Sequence, residues 1–106
     1  MEIEIKLPYS TFVSIDSIFN VLECNFPECK LEKVSSHSGE FICLEKTLYV
    51  QAHIYVFHDK DKDSTIIGIE GSTSKLANFL LGEFFHYLFR GTFLNDVRNA
   101  LEEEFN

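Results

Sequence analysis

ICLEKTLYVQAHIYV, residues Ile42 to Val56, carries an aliphatic side chain at nearly every even position. Ile42, Leu44, Leu48, Val50, Ala52, Ile54 and Val56 share that parity, and only Lys46 interrupts them. Successive side chains of a strand point to opposite faces, so a period of two held this long predicts strand with its even face buried. The spacing fits one long strand or two strands bent at Glu45-Lys46-Thr47. The odd positions are Tyr49, Gln51, His53, Tyr55 and Phe57. A sheet with one wet face presents polar side chains there, whereas this face is aromatic and amphipathic. Tyr and His keep a polar tip wet while burying a ring, which suits a recognition surface or a cavity wall. The competing reading is cross-strand aromatic packing that only stabilises the sheet.

On the N-terminal side, residues 2–7 alternate between Glu2, Glu4, Lys6 and Ile3, Ile5, Leu7, a half-buried strand stopped by Pro8. Ser10 or Thr11 then caps a helix whose stripe is Phe12, Ile15, Phe19 and Leu22, ended by Asn25 and Pro27. Residues 29–36 read as a weaker strand closed by the Ser35–Gly39 turn. On the C-terminal side, Thr65–Glu70 reads as a short strand, and Gly71-Ser72-Thr73-Ser74 ends it and caps the next helix.

Residues 75–90 predict that helix, with Gly91 as its C-terminal cap. Leu76, Leu80, Phe84 and Leu88 form one row, and Leu81, Phe85 and Phe89 a second about 100° away. With Phe79 this is more apolar surface than one buried stripe needs. Core packing is the first reading, and self-association or partner binding the second. Glu83, His86 and Arg90 interrupt the run, so no membrane span is expected. Thr92 caps a last helix with the stripe Leu94, Val97, Leu101 and Phe105.

The order is strand, helix, three or four strands, then two helices. It predicts a single α+β domain over residues 1–106, a two-layer sandwich with an antiparallel sheet of four to five strands packed against helices. This element order is similar to the helix-grip and TATA-binding-protein-like folds, in which a curved antiparallel sheet wraps a long C-terminal helix. The likeness implies architecture and no function.

The 106 residues carry a net charge of −8, with 45% apolar and 25% charged side chains. Residues 1–58 hold 4 basic and 8 acidic groups, and residues 59–106 hold 5 and 9. No cluster of Lys and Arg offers itself to a phosphate backbone, so no nucleic-acid partner is expected. Solubility is the first reading of this charge, and attraction of a basic protein partner the second. Cys24, Cys29 and Cys43 are odd in number and lack framework spacing, and MEIEIKLP is no apolar leader, so a reducing cytoplasm is expected.

The loop from Asp59 to Glu70 places Asp59, Asp61, Asp63 and Glu70 at positions 1, 3, 5 and 12 of a calcium-binding loop. Ser64 stands where that loop needs Gly, and strand patterns flank it where helices should. A solvated hairpin tip is the preferred reading, and no metal is expected. His37, His53, His58 and His86 form no ligand spacing. No Gly-rich phosphate loop, nucleophile elbow or paired catalytic motif occurs, so neither enzymatic activity nor a cofactor is expected.

The function expected is a non-enzymatic protein-binding domain of the small acidic regulator, inhibitor or adaptor type. The alternative is a small-molecule pocket between the sheet and the Phe-rich helix 75–90. The residues proposed for either role are Tyr49, His53, Tyr55, Phe57, Phe79, Phe84, Phe85 and Phe89.

Overall fold

The computed structural model describes residues 2–8, 13–37, 39–47, 50–59, 61, 64–72 and 92–105. Five strands, β1 (Glu2–Pro8), β2 (Lys30–Ser36), β3 (Gly39–Thr47), β4 (Val50–Asp59) and β5 (Ser64–Ser72), form one sheet in the order β1-β5-β4-β3-β2. All four neighbouring pairs are antiparallel. Helix α1 (Ile15–Asn25) links β1 to β2, at opposite edges of the sheet, and residues 92–105 are helical. The chain is therefore an α+β protein built on an antiparallel sheet. The predicted helix 75–90, with Phe79, Phe84, Phe85 and Phe89, lies outside the described residues, as do Tyr49 and Asp63.

The Ile42–Val56 stretch is not one strand. It is a hairpin whose two arms are β3 and β4, joined at Thr47 and Val50, so the predicted bend lies two residues too early. Ile42 pairs with Ile54 and Leu44 with Ala52. Even residues therefore face the core on both arms, and the alternation runs through the turn without changing phase. A bulge between Glu45 and Thr47 takes up the extra residue, Lys46. The Lys46 ammonium lies 5.5 Å from the centre of the Phe93 ring, which explains how a cation sits in an otherwise apolar series.

The even face of β3 and β4 meets Ile5 and Leu7 of β1 and Ile67 and Ile69 of β5 in one buried cluster. Ile18 and Leu22 of α1 close it from above, with Phe93, Leu94, Val97 and Leu101 of the C-terminal helix. Both described helices thus cover the same side of the sheet. Phe26 meets Phe93 edge-on at 6.0 Å where the end of α1 reaches the C-terminal helix. Gly71 and Ser72 continue β5 against Ala52 and Gln51, so they extend the strand where the sequence predicted its end.

Helix α1 begins later than its sequence predicted, because Ser14 and not Ser10 or Thr11 is its N-cap. The Ser17 amide donates to the Ser14 hydroxyl and the Ser14 amide to the Ser17 hydroxyl, each at 3.1 Å. This reciprocal box satisfies two donors that a helix start leaves open. Val13 before the cap and Ile18 four residues after it are both buried, the positions of a hydrophobic staple. Asp16 in the first turn complements the helix dipole and pairs with Lys33 of β2. The Ser14→Ala substitution is expected to cost about 1 kcal/mol of stability, read as a lower urea midpoint at unchanged slope.

Candidate functional site

Opposite the two described helices lies the second face of the sheet. It carries Phe41, Cys43 and Glu45 of β3, Gln51, His53, Tyr55 and Phe57 of β4, and Ile66, Gly68 and Glu70 of β5. Register explains the grouping. His53 stands between Cys43 and Glu70, Tyr55 beside Gly68, and Phe57 beside Ile66. Of the predicted aromatic residues, His53, Tyr55 and Phe57 share this face as expected from their odd positions. Phe57 is 40% exposed, the one large apolar side chain so exposed among the described residues.

The rings are arranged in pairs. Tyr55 and Phe57 stack at 6.0 Å with 18° between their planes, and Phe41 tilts against His53 at 5.1 Å. Gly68 leaves room for the first pair, since a methyl group there would overlap the Tyr55 ring. Its backbone is ordinary strand, so the absence of a side chain serves the neighbouring ring. Ile66 is 3% exposed yet stands apart from the main core cluster, so apolar burial occurs on this face too.

The strands β3 and β4 part company near these rings. Their pairing runs from Thr47–Val50 to Ile42–Ile54 and stops, although β3 continues to Gly39 and β4 to Asp59. A concavity of about 470 Å³ opens at the split. One lip is Ser36, Gly39, Glu40 and Phe41, and the other is His53, Tyr55, Val56 and Phe57, with Glu70 reaching in from β5. Gly39 has φ +122°, a region that L side chains avoid, and this lets β2 turn tightly into β3 below Phe41. Ser36 Oγ donates to the Gly39 carbonyl at 3.0 Å and holds that turn.

Electrostatically the concavity is negative. Glu40 and Glu70 are both exposed, and among the described residues no Lys or Arg lines it or pairs with either carboxylate. Beside it, burial pushes the Cys43 thiol up, Glu32 and Glu45 push it further, and Lys30 opposes them. Cys43 therefore stays protonated at neutral pH and is a poor nucleophile there. Its Sγ lies 3.8 Å from Gln51 Oε1.

The calcium-type residues do not assemble as the loop pattern required. Asp59 pairs with Ser64 at the base of the β4–β5 loop and Asp61 is exposed in its turn. Glu70 pairs with His53, six residues further along β5, roughly 20 Å from that base at the usual rise per strand residue. Its carboxylate belongs to the concavity. His58 Nδ1 lies 3.0 Å from Thr65 Oγ1 on the adjacent strand, outside the concavity. Among the described residues no three His, Cys, Asp or Glu side chains converge as metal ligands, and no helix is long and apolar enough to cross a membrane. Cys24 and Cys43 are free thiols, as is Cys29, whose thiol burial also pushes up, with Glu28 adding to the effect.

Sequence reasoning missed Phe41, Glu40, Ser36 and Gly39. Phe41 had a usable signal, an odd position beside Ile42, once β3 and β4 are recognised as separate arms. The others enter through the tight β2–β3 turn, which brings them beside β4 only in three dimensions. Comparison with family models, with curated proteins and with solved structures finds no match to this chain.

Proposed function

We propose that this chain is a non-enzymatic protein-binding domain that docks a basic partner on the face of the sheet opposite its two described helices. The observation that carries the reading is the concavity of about 470 Å³, walled by paired aromatic rings and bordered by Glu40 and Glu70. Interfaces are enriched in rigid aromatic side chains at their centre, and complementary charge sets partner choice and encounter rate. The net charge of −8 extends the same field beyond the site.

The test begins with affinity capture and identification of the recovered protein, followed by association kinetics. The double substitution Glu40→Gln with Glu70→Gln is expected to slow association about tenfold at low salt and to flatten its salt dependence. Phe57→Ala is expected to speed dissociation instead. A captured partner that is acidic, or a rate indifferent to these carboxylates, would overturn the reading.

A small-molecule site is the second reading, because the volume falls within the roughly 300–1,000 Å³ of typical ligand pockets. An apolar ligand that raises the melting temperature and loses that effect in Phe57→Ala would favour it. For the whole chain we propose the helix-grip or TATA-binding-protein-like arrangement. Its support is that Leu94, Val97 and Leu101 share one buried cluster with Ile54 and Ile67 at the middle of the sheet. The three free cysteines support placing the protein in a reducing cytoplasm.

A further inference from the structure

The geometry points to an arginine side chain, presented by the basic partner, as the group that enters the concavity between β3 and β4. This rests on the docking reading above and specifies what the site recognises. Three features of the split select the guanidinium.

The walls come first. Phe41 stands on the β3 lip of the concavity, and His53 with the stacked Tyr55 and Phe57 on the β4 lip, with Phe57 40% exposed. A guanidinium is planar and weakly hydrated, so it loses little when it leaves water to lie on a ring face. An ammonium is a compact, strongly hydrated charge that gives up more.

The acceptors come second. Glu40 and Glu70 lie on different strands, β3 and β5, and each contributes to the lining. Glu70 shares the face of His53 while Glu40 has the parity of Ile42 at the strand edge, so the rim offers acceptors on two sides, which suits a fork with five N–H donors better than a single point charge. Both carboxylates are exposed, so neither has already lost its hydration, and pairing gains from a cation that brings ring contact as well.

The shape comes third. About 470 Å³ exceeds what one side-chain tip fills, so the long apolar stem of arginine can pass between the rings while the head reaches the carboxylates. An anionic or phosphorylated group finds no Lys or Arg among the described lining residues and meets two carboxylates.

The test is an NMR titration of the ¹⁵N-labelled protein with three blocked five-residue peptides, alanine throughout except for a central Arg, Lys or citrulline. Citrulline keeps the shape of arginine without its charge. The Arg peptide is expected to shift the amides of Phe41, His53, Tyr55, Phe57 and Glu70, and to bind about tenfold more tightly than the Lys or citrulline peptide. Glu70→Gln and Glu40→Gln should each weaken the Arg peptide, and neither exposed substitution should unfold the sheet. Equal binding of the Arg and Lys peptides at these amides would overturn the arginine inference and leave a basic-partner site standing. Shifts confined to other amides, or none with any peptide, would overturn both.

Discussion

Truncating Ile54 to Ala is expected to lower the unfolding free energy by about 3 kcal/mol, within the range of roughly 2–5 kcal/mol for buried aliphatic deletions. Ile54 is fully buried and lies between Ile42 on β3 and Ile69 on β5, which are fully buried as well. Three strands therefore contribute aliphatic side chains to one row beneath the helices. Collapse into the vacated space is opposed on both sides by strands held in register, so most of the cavity should persist. Urea unfolding measures the effect. A loss below about 1 kcal/mol would mean that the centre of the core lies elsewhere. Phe57→Ala serves as the contrast, since its ring is partly exposed and should cost much less.

Gly68→Ala is the second large effect, and it acts on the opposite face. The added methyl must displace the Tyr55 ring, because its far edge occupies that space. Overpacking of this kind costs about 1–3 kcal/mol where the ring cannot move freely. The Tyr55→Ala background separates ring displacement from any other cause. There the same Gly68→Ala change should be neutral or slightly stabilising, since Ala is better than Gly within a strand by about 0.5 kcal/mol. A double-mutant cycle reads the coupling directly. An identical penalty in both backgrounds would show that Gly68 is small for another reason. Because Tyr55 walls the concavity, Gly68→Ala should also weaken partner binding while leaving the helix-covered core intact.

Much of this architecture was legible because alternation is a local property. Ile3, Ile5 and Leu7 announce β1, and the even residues from Ile42 onward announce the core face. The place of the turn between β3 and β4 was hidden for a definite physical reason. Pairing Ile42 with Ile54 gives both arms the same parity, so the pattern carries no phase break at the turn. The start of α1 was misplaced because Ser14-Ile15-Asp16-Ser17 uses a serine where Glu or Gln usually completes a capping box. At the site, His53, Tyr55 and Phe57 could be found from their parity, whereas Glu40 and Glu70 could not. Glu70 fitted a calcium-loop spacing in one dimension, yet the β4–β5 register sets it opposite His53. Spacing along a chain converts to distance only after the register is known.

The sheet order has a consequence for how the molecule is assembled. Strands β2, β3 and β4 each pair with their successor in sequence, so that meander can zip up by short-range steps as it emerges from the ribosome. The first strand cannot join in turn, because Pro8 meets Ser64 and Glu2 meets Glu70. The residues of β1 must wait for β5, which follows the whole meander, and closing that long loop is entropically slow. Until they arrive, β5 offers an unoccupied flank bearing Ile67 and Ile69. The first strand of a neighbouring nascent copy would fit it as well, which makes strand exchange the misassembly built into this topology.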